Sequence, residues 1–254
     1  NALLWGSRGN GKSSLIKSVF YEINKNNKKL KLIQLNKNNI LDVYEDHRLD
    51  AETRSEDLLN LMTIDEKIGQ MFHPPFILKP DFFMMLYEIA IRGNKLTETQ
   101  IVDDNITHFN LYGNPSPFEL GVKINHLQKI ASKTRLGIPI TISSDPIHEV
   151  PKGGGVASFS VDGFSKWPSQ LGFAASKDTN MVKKFAEIER DEYLAVGSRT
   201  ALHPMSDYAT DPRWARNFGT FGSNAKLSSD MTIAYMNGFQ GNKIDNKSVL
   251  TMVK

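Results

Sequence analysis

Cysteine is absent from the 254 residues, which removes disulfides, thiolate metal sites and cysteine nucleophiles together. No apolar run approaches the roughly 20 residues that a membrane span needs, so a soluble chain with no membrane partner is expected. Neither sign of charge dominates, the net being +3. The basic excess gathers in an Asn/Lys-rich run at 24–39 that has little arginine and no aromatic stacking partner. That run reads as a solvated surface, and no nucleic-acid partner is expected. The chain opens on Asn1, and the apolar Ala2, Leu3, Leu4 and Trp5 are too few, without a basic flank, for a signal peptide. A missing natural start is the expectation, with cytoplasmic and exported locations both left open.

What is present is globular in composition, 40% hydrophobic and 23% charged, and long enough for one large barrel or two ordinary domains. The composition shifts near 44–49, and two unlike pieces are expected, 1–46 and 47–254. In the first, an apolar strand runs into Gly6-Ser7-Arg8-Gly9-Asn10-Gly11-Lys12-Ser13 and then into a helical pattern with Leu15, Ile16, Val19, Phe20 and Ile23. This fits the phosphate-cradling template in full: Gly6 and Gly11 let backbone N–H groups approach phosphate, Lys12 brings charge and Ser13 reaches Mg²⁺. The next strand-like run, 30–35, ends in Asn36 and Lys37 and lacks the acidic residue that would hold Mg²⁺. ATP with Mg²⁺ is therefore the rival reading for this loop and not the preferred one. The piece is too small to bury a core alone.

Downstream, helices alternate with short apolar strands. Thr63-Ile64-Asp65-Glu66 is a capping box. A strand is expected at 106–111, and then a helix from Pro117 with Leu120, Ile124, Leu127 and Ala131 at helical spacing, closed by Gly137. Strands follow at 138–143, 200–203 and 249–253. Helices are expected at 178–196, with Met181, Phe185 and Ile188 on one face, and at 228–239. Repeated βα units predict an α/β chain with a parallel sheet, a partial (β/α)8 barrel in which roughly five of eight strands are countable. In such barrels working residues follow the strands. The rule selects Asp145 and His148 after one strand, His203 and Asp207 after the next, and Lys254 after the last. Gly153, Gly154 and Gly155 form a loop without phosphate grammar.

Several stretches carry a family resemblance: the run 54–70 through the Thr63 box to Lys67, Gly69 and Gln70; Arg135-Leu136-Gly137-Ile138-Pro139 with Ser144-Asp145; and Asp211-Pro212-Arg213-Trp214-Ala215-Arg216 with Gly219-Thr220-Phe221-Gly222. In this order they resemble the N-terminal domain of glycoside hydrolase family 3, and most closely beta-glucosidases. The opening piece resembles the start of an uncharacterised family of AAA-type ATPases. The first resemblance implies a retaining glycosidase that acts on beta-glucosides or glucans and needs no cofactor or metal. It also implies that Asp145 accepts sugar hydroxyls and that Arg216 and Lys254 hold the same sugar, with His148 a further pocket candidate. Trp214 is read as a loop anchor, and Trp167-Pro168 as structural.

The departures are equally informative. Double displacement needs two carboxylates about 5 Å apart, and neither is identifiable here; the nucleophile is expected beyond Lys254, in a missing C-terminal part. Where many relatives carry Gly-Glu-Asp this chain has Gly222-Ser223-Asn224. The 254 residues alone are thus expected to be inactive, and a joined or truncated reading frame is the third alternative.

Overall fold

In the computed structural model, residues 35–36, 38, 40–78, 96–113, 115–148 and 163–254 are described. Gly6, Gly11, Lys12, Ser13 and the triple glycine at 153–155 lie outside the described residues. Five parallel strands form one sheet in chain order: β1 (Pro75–Leu78), β2 (His108–Gly113), β3 (Thr141–Ser144), β4 (Thr200–Ala201) and β5 (Leu250–Thr251). Each joins the next in parallel register, Asn110 facing Ser143, Ser143 facing Thr200 and Thr200 facing Leu250. Four strands correspond to expected ones: β4 and β5 are shorter than expected, β2 is shifted two residues toward the C-terminus, and β3 starts later and ends one residue further on. β1 was not anticipated, because Pro74 and Pro75 weaken a strand reading by removing ladder donors.

Five of the seven helices named here start on a side-chain cap. α1 (Ala51–Leu61) is capped by Asp50, and α2 (Ile64–Gly69) by the reciprocal Thr63/Glu66 box. α3 (Thr97–Asp103) precedes α4 (Pro117–Ala131), which has its own capping box from Ser116 and Glu119. α4 stops at Ala131 on a Ser132 cap, short of Gly137, which instead takes φ +60° where a Cβ would stand 2.3 Å from the Leu35 carbonyl oxygen. α5 (Gln170–Ser176) leads to α6 (Thr179–Val196), capped by Asp178 and ended by a left-handed Gly197. α7 (Ala225–Gln240) begins on Asn224, whose side chain accepts from Leu227 N. Asn224 thus has a helix-capping role where an acidic residue was looked for.

Alternation along the strands separates two faces. Phe76, Phe109, Leu111, Ile142 and Ala201 belong to the buried cluster that also takes in Leu120, Ile124 and Leu127 of α4, Val182 and Phe185 of α6, and Phe239 of α7. On α6 the buried stripe is Val182, Phe185, Glu189 and Tyr193, whereas Met181 is exposed; the apolar face assigned from Met181 and Ile188 is corrected by about a third of a turn. α6 and α7 approach closely at Gly238, where a Cβ would stand 2.4 Å from Ala186 Cβ. The other face of the sheet carries His108, Asn110, Ser143 and Thr200 in register, and Leu250 there is 48% exposed. This is the inner side of a barrel wall, with the helices outside it.

Residues upstream of the expected boundary contribute to the same body. Leu35 is buried against Gly137, and the Tyr44 hydroxyl donates to Leu136 O at 2.9 Å. Among the described residues no helix is long and apolar enough to cross a membrane.

Candidate functional site

Strand alternation puts residues 143 and 145 on the inner face, and likewise 250, 252 and 254. The ladder continues past β5: Met252 N donates to Ala201 O at 2.9 Å, Lys254 N to Pro204 O at 3.0 Å and Ser206 N to Lys254 O at 2.6 Å. Lys254 is therefore held on a last rung beside the end of β4. Its Nζ reaches Asp145 Oδ1 at 2.5 Å, with the two side chains 29% and 19% exposed. A carboxylate and an ammonium meet at the C-terminal strand ends, partly open to solvent.

The Arg216 loop leaves the same ends. From β4 the chain passes through a cis His203–Pro204 peptide to Met205, whose N and O are both held by the Gln170 side chain. Arg216 is exposed, and its Nη2 lies 3.2 Å from Met205 Sδ. Asp211 ties Arg213 back at 2.6 Å and so frees Arg216 of that carboxylate. Trp214 is 38% exposed, and Asp207 is exposed. Trp167 donates through Nε1 to Ser165 Oγ and packs on Phe173 and Phe185, a structural place.

His148 lies elsewhere. Its side chain is 0% exposed, with Nδ1 2.6 Å from Glu189 Oε1 and Nε2 2.5 Å from Glu192 Oε2. Burial alone would push this imidazole down, but the two carboxylates outweigh it and raise its pKa to about 9. Glu192, also held by Ser165, is correspondingly lowered despite its partial burial. His148, expected as a further pocket candidate, is thus buried between two carboxylates and stacked on Tyr193 at 5.7 Å.

Sequence reasoning did not single out the inner-face polar row below Asp145. His73 Nε2 pairs with Ser143 Oγ at 2.8 Å, and Ser143 Oγ donates to Asn110 Oδ1 at 3.2 Å. His108 is half-buried, and desolvation with His73 nearby lowers its pKa. Alternating His108 and Asn110 in a strand carried that signal. Among the described residues no group of three or more His, Asp or Glu could hold a metal ion.

Comparison with known proteins gives two family matches. The model described as the glycosyl hydrolase family 3 N-terminal domain matches residues 63–254, and one described as a protein of unknown function (DUF815) matches residues 1–54. Beta-glucosidase C of Emericella nidulans is 43% identical over 223 residues, covering 87% of this chain and 35% of that protein. A periplasmic beta-glucosidase/beta-xylosidase of Dickeya chrysanthemi is 41% identical over 224 residues, covering 87% and 34%. A solved beta-glucosidase from intestinal bacteria, involved in saponin metabolism, superposes with a TM-score of 0.56 at 28% identity over 78% of this chain and 23% of that one. The chain thus spans about a third of the length of the curated relatives it matches.

Proposed function

The chain belongs to glycosyl hydrolase family 3, and we propose that its strand ends hold the terminal sugar of a beta-glucoside, with Asp145, Lys254 and Arg216 as sugar ligands. The observation that carries this reading is the contact between Asp145 and Lys254 across β4, partly open to solvent. A carboxylate accepts two hydroxyl hydrogen bonds and an ammonium donates up to three, so neighbouring hydroxyls of one sugar ring can insert between them and satisfy both. Arg216, whose exposed guanidinium meets the weak thioether acceptor of Met205, offers its donor fork to the same ring. In the complete enzyme this binding would serve retaining hydrolysis of a beta-glucoside, for which no cofactor is needed.

Hydrolysis itself needs a nucleophilic carboxylate and a second as acid/base, and we assign neither to a residue of this chain. Asp145 is a binding group, neutralised by its lysine. The opening residues Gly6, Gly11, Lys12 and Ser13 keep the grammar of a phosphate loop, but ATP plays no part in this reading. Calorimetric titration of glucose into the protein tests it: saturable binding that falls at least about tenfold in Asp145→Asn is expected. Equal affinity in the two proteins would overturn the assignment.

A further inference from the structure

Behind the sugar site, on the helix side of the sheet, one chain of buried polar groups links α6, α7 and the ends of β3 and β4. It starts at Glu189, whose carboxylate can only accept. Oε1 faces His148, and Oε2 takes the Tyr235 hydroxyl at 3.0 Å. That bond uses the single hydrogen of Tyr235. The 2.5 Å contact between the Tyr235 oxygen and His203 Nδ1 then requires the hydrogen to sit on Nδ1. His203 is 0% exposed, and burial, with the positive charges of His148 and Lys254, holds its pKa well below the ordinary value. The ring is neutral, and Nε2 carries a lone pair. Tyr193 lies 3.0 Å from that nitrogen and donates to it, which leaves the Tyr193 oxygen to receive the Ser144 hydroxyl at 2.6 Å. The hydrogens of the row can thus all run one way, in the direction set by the carboxylate at the far end.

We propose that His203 is a positioning residue for the sugar site: as the Nδ1–H tautomer it directs a hydrogen-bond relay from Ser144 to Glu189, and so fixes the strand end that presents Asp145 to Lys254. This rests on the sugar-binding reading above and adds to it the group that holds the carboxylate in place. Reversal of the relay would turn the Tyr193 hydrogen away from His203. Its next acceptors are Ser144 Oγ and the Asp145 carbonyl oxygen, 2.6 and 3.5 Å away, so the peptide carrying the binding group would be drawn toward α6. The tautomer is therefore transmitted to the site.

The test uses the full 254-residue chain and two readouts. Long-range ¹⁵N–¹H NMR reports the tautomer of His203, and the Asp145 Cγ resonance together with glucose titration reports the site. In the unmodified protein His203 is expected as neutral Nδ1–H. Tyr235→Phe removes both the acceptor and the link to Glu189. The ring should move to Nε2–H, the Asp145 resonance should shift, and glucose affinity should fall about tenfold. Tyr193→Phe keeps Tyr235 and Glu189, so it should retain Nδ1–H while disturbing Asp145 in the same way; it decides the matter if the first variant does not fold. An imidazolium or Nε2–H ring in the unmodified protein overturns the proposal, as does a tautomer switch that leaves Asp145 unmoved. If the unmodified protein binds no glucose, the sugar reading falls, and the Asp145 resonance in the two variants still decides whether His203 positions that residue.

Discussion

Asp145 and Lys254 stand 109 positions apart in the chain, just past β3 and beyond β5, yet their side chains meet at 2.5 Å with β4 between those strands. Register produces this meeting. Ser143 faces Thr200 and Thr200 faces Leu250, so two residues past Ser143 and four past Leu250 point the same way at the same end. A pair so placed is partly solvated, and pairs of that kind add little to stability.

Lys254→Met is accordingly expected to change the unfolding free energy by less than about 1 kcal/mol while weakening glucose binding at least about tenfold. Urea denaturation and calorimetry measure the two quantities on one preparation. A loss of stability in proportion to the loss of binding would make Lys254 a structural brace and remove it from the site.

His148 predicts a pH dependence of stability. Its folded pKa of about 9 stands above the unperturbed value of about 6.5, so the folded state holds the proton more tightly than the unfolded chain. The resulting stabilisation is complete below about pH 6.5 and is lost as pH rises through about 9. A loss of a few kcal/mol between pH 7 and pH 10 is expected. Glu192→Gln, which removes one of the two flanking carboxylates, should move the loss to lower pH. Denaturation midpoints that stay flat to pH 10 would show that the imidazole is neutral throughout.

The strand ends were legible before the fold was, and the reason is local. Asp145, Arg216 and Lys254 follow from the family resemblance, whereas the barrel follows from the alternation of helices with short apolar strands, of which the spacing of Leu120, Ile124 and Leu127 is one trace. A histidine two residues after Pro146, such as His148, reads in the sequence as a polar turn residue. Its enclosure depends on Glu189 and Glu192, one helical turn apart on α6, and only folding brings them to it. Glu189 was hidden for a related reason: a charge within an apolar stripe looks solvated until Tyr235 and His148 are seen to surround it. Four residues from Phe185 and four from Tyr193, it lay at core spacing all along.

The helix contact at Gly238 gives a prediction about packing. A Cβ there would lie 2.4 Å from Ala186 Cβ and 2.6 Å from Lys183 O. Both are parts of a rigid helix and not the ends of flexible side chains. Gly238→Ala should therefore cost about 1–3 kcal/mol through forced separation of α6 and α7, although alanine is the better helix former. Because α6 carries Glu189 and α7 carries Tyr235, the variant should also disturb the His203 resonances. A gain in thermal stability would mean that the two helices are free to move apart.

The last prediction concerns turnover. A retaining glycosidase attacks the anomeric carbon with one carboxylate and protonates the leaving oxygen with another about 5 Å away. Asp145 is engaged by Lys254, which suits an acceptor of sugar hydroxyls. Asp211 is spent on Arg213. Glu189 and Glu192 are committed to His148 on the helix side of the sheet. With these four carboxylates so engaged, the 254-residue chain should bind glucose yet release no nitrophenol from its aryl beta-glucoside above the buffer rate at any pH. The control is Asp145→Ala, which should abolish binding and leave the absent turnover as it was. Robust hydrolysis by the unmodified chain, lost in that variant, would make Asp145 a reacting carboxylate with a partner inside these residues, and the division between binding and chemistry drawn at the strand ends would have to be given up.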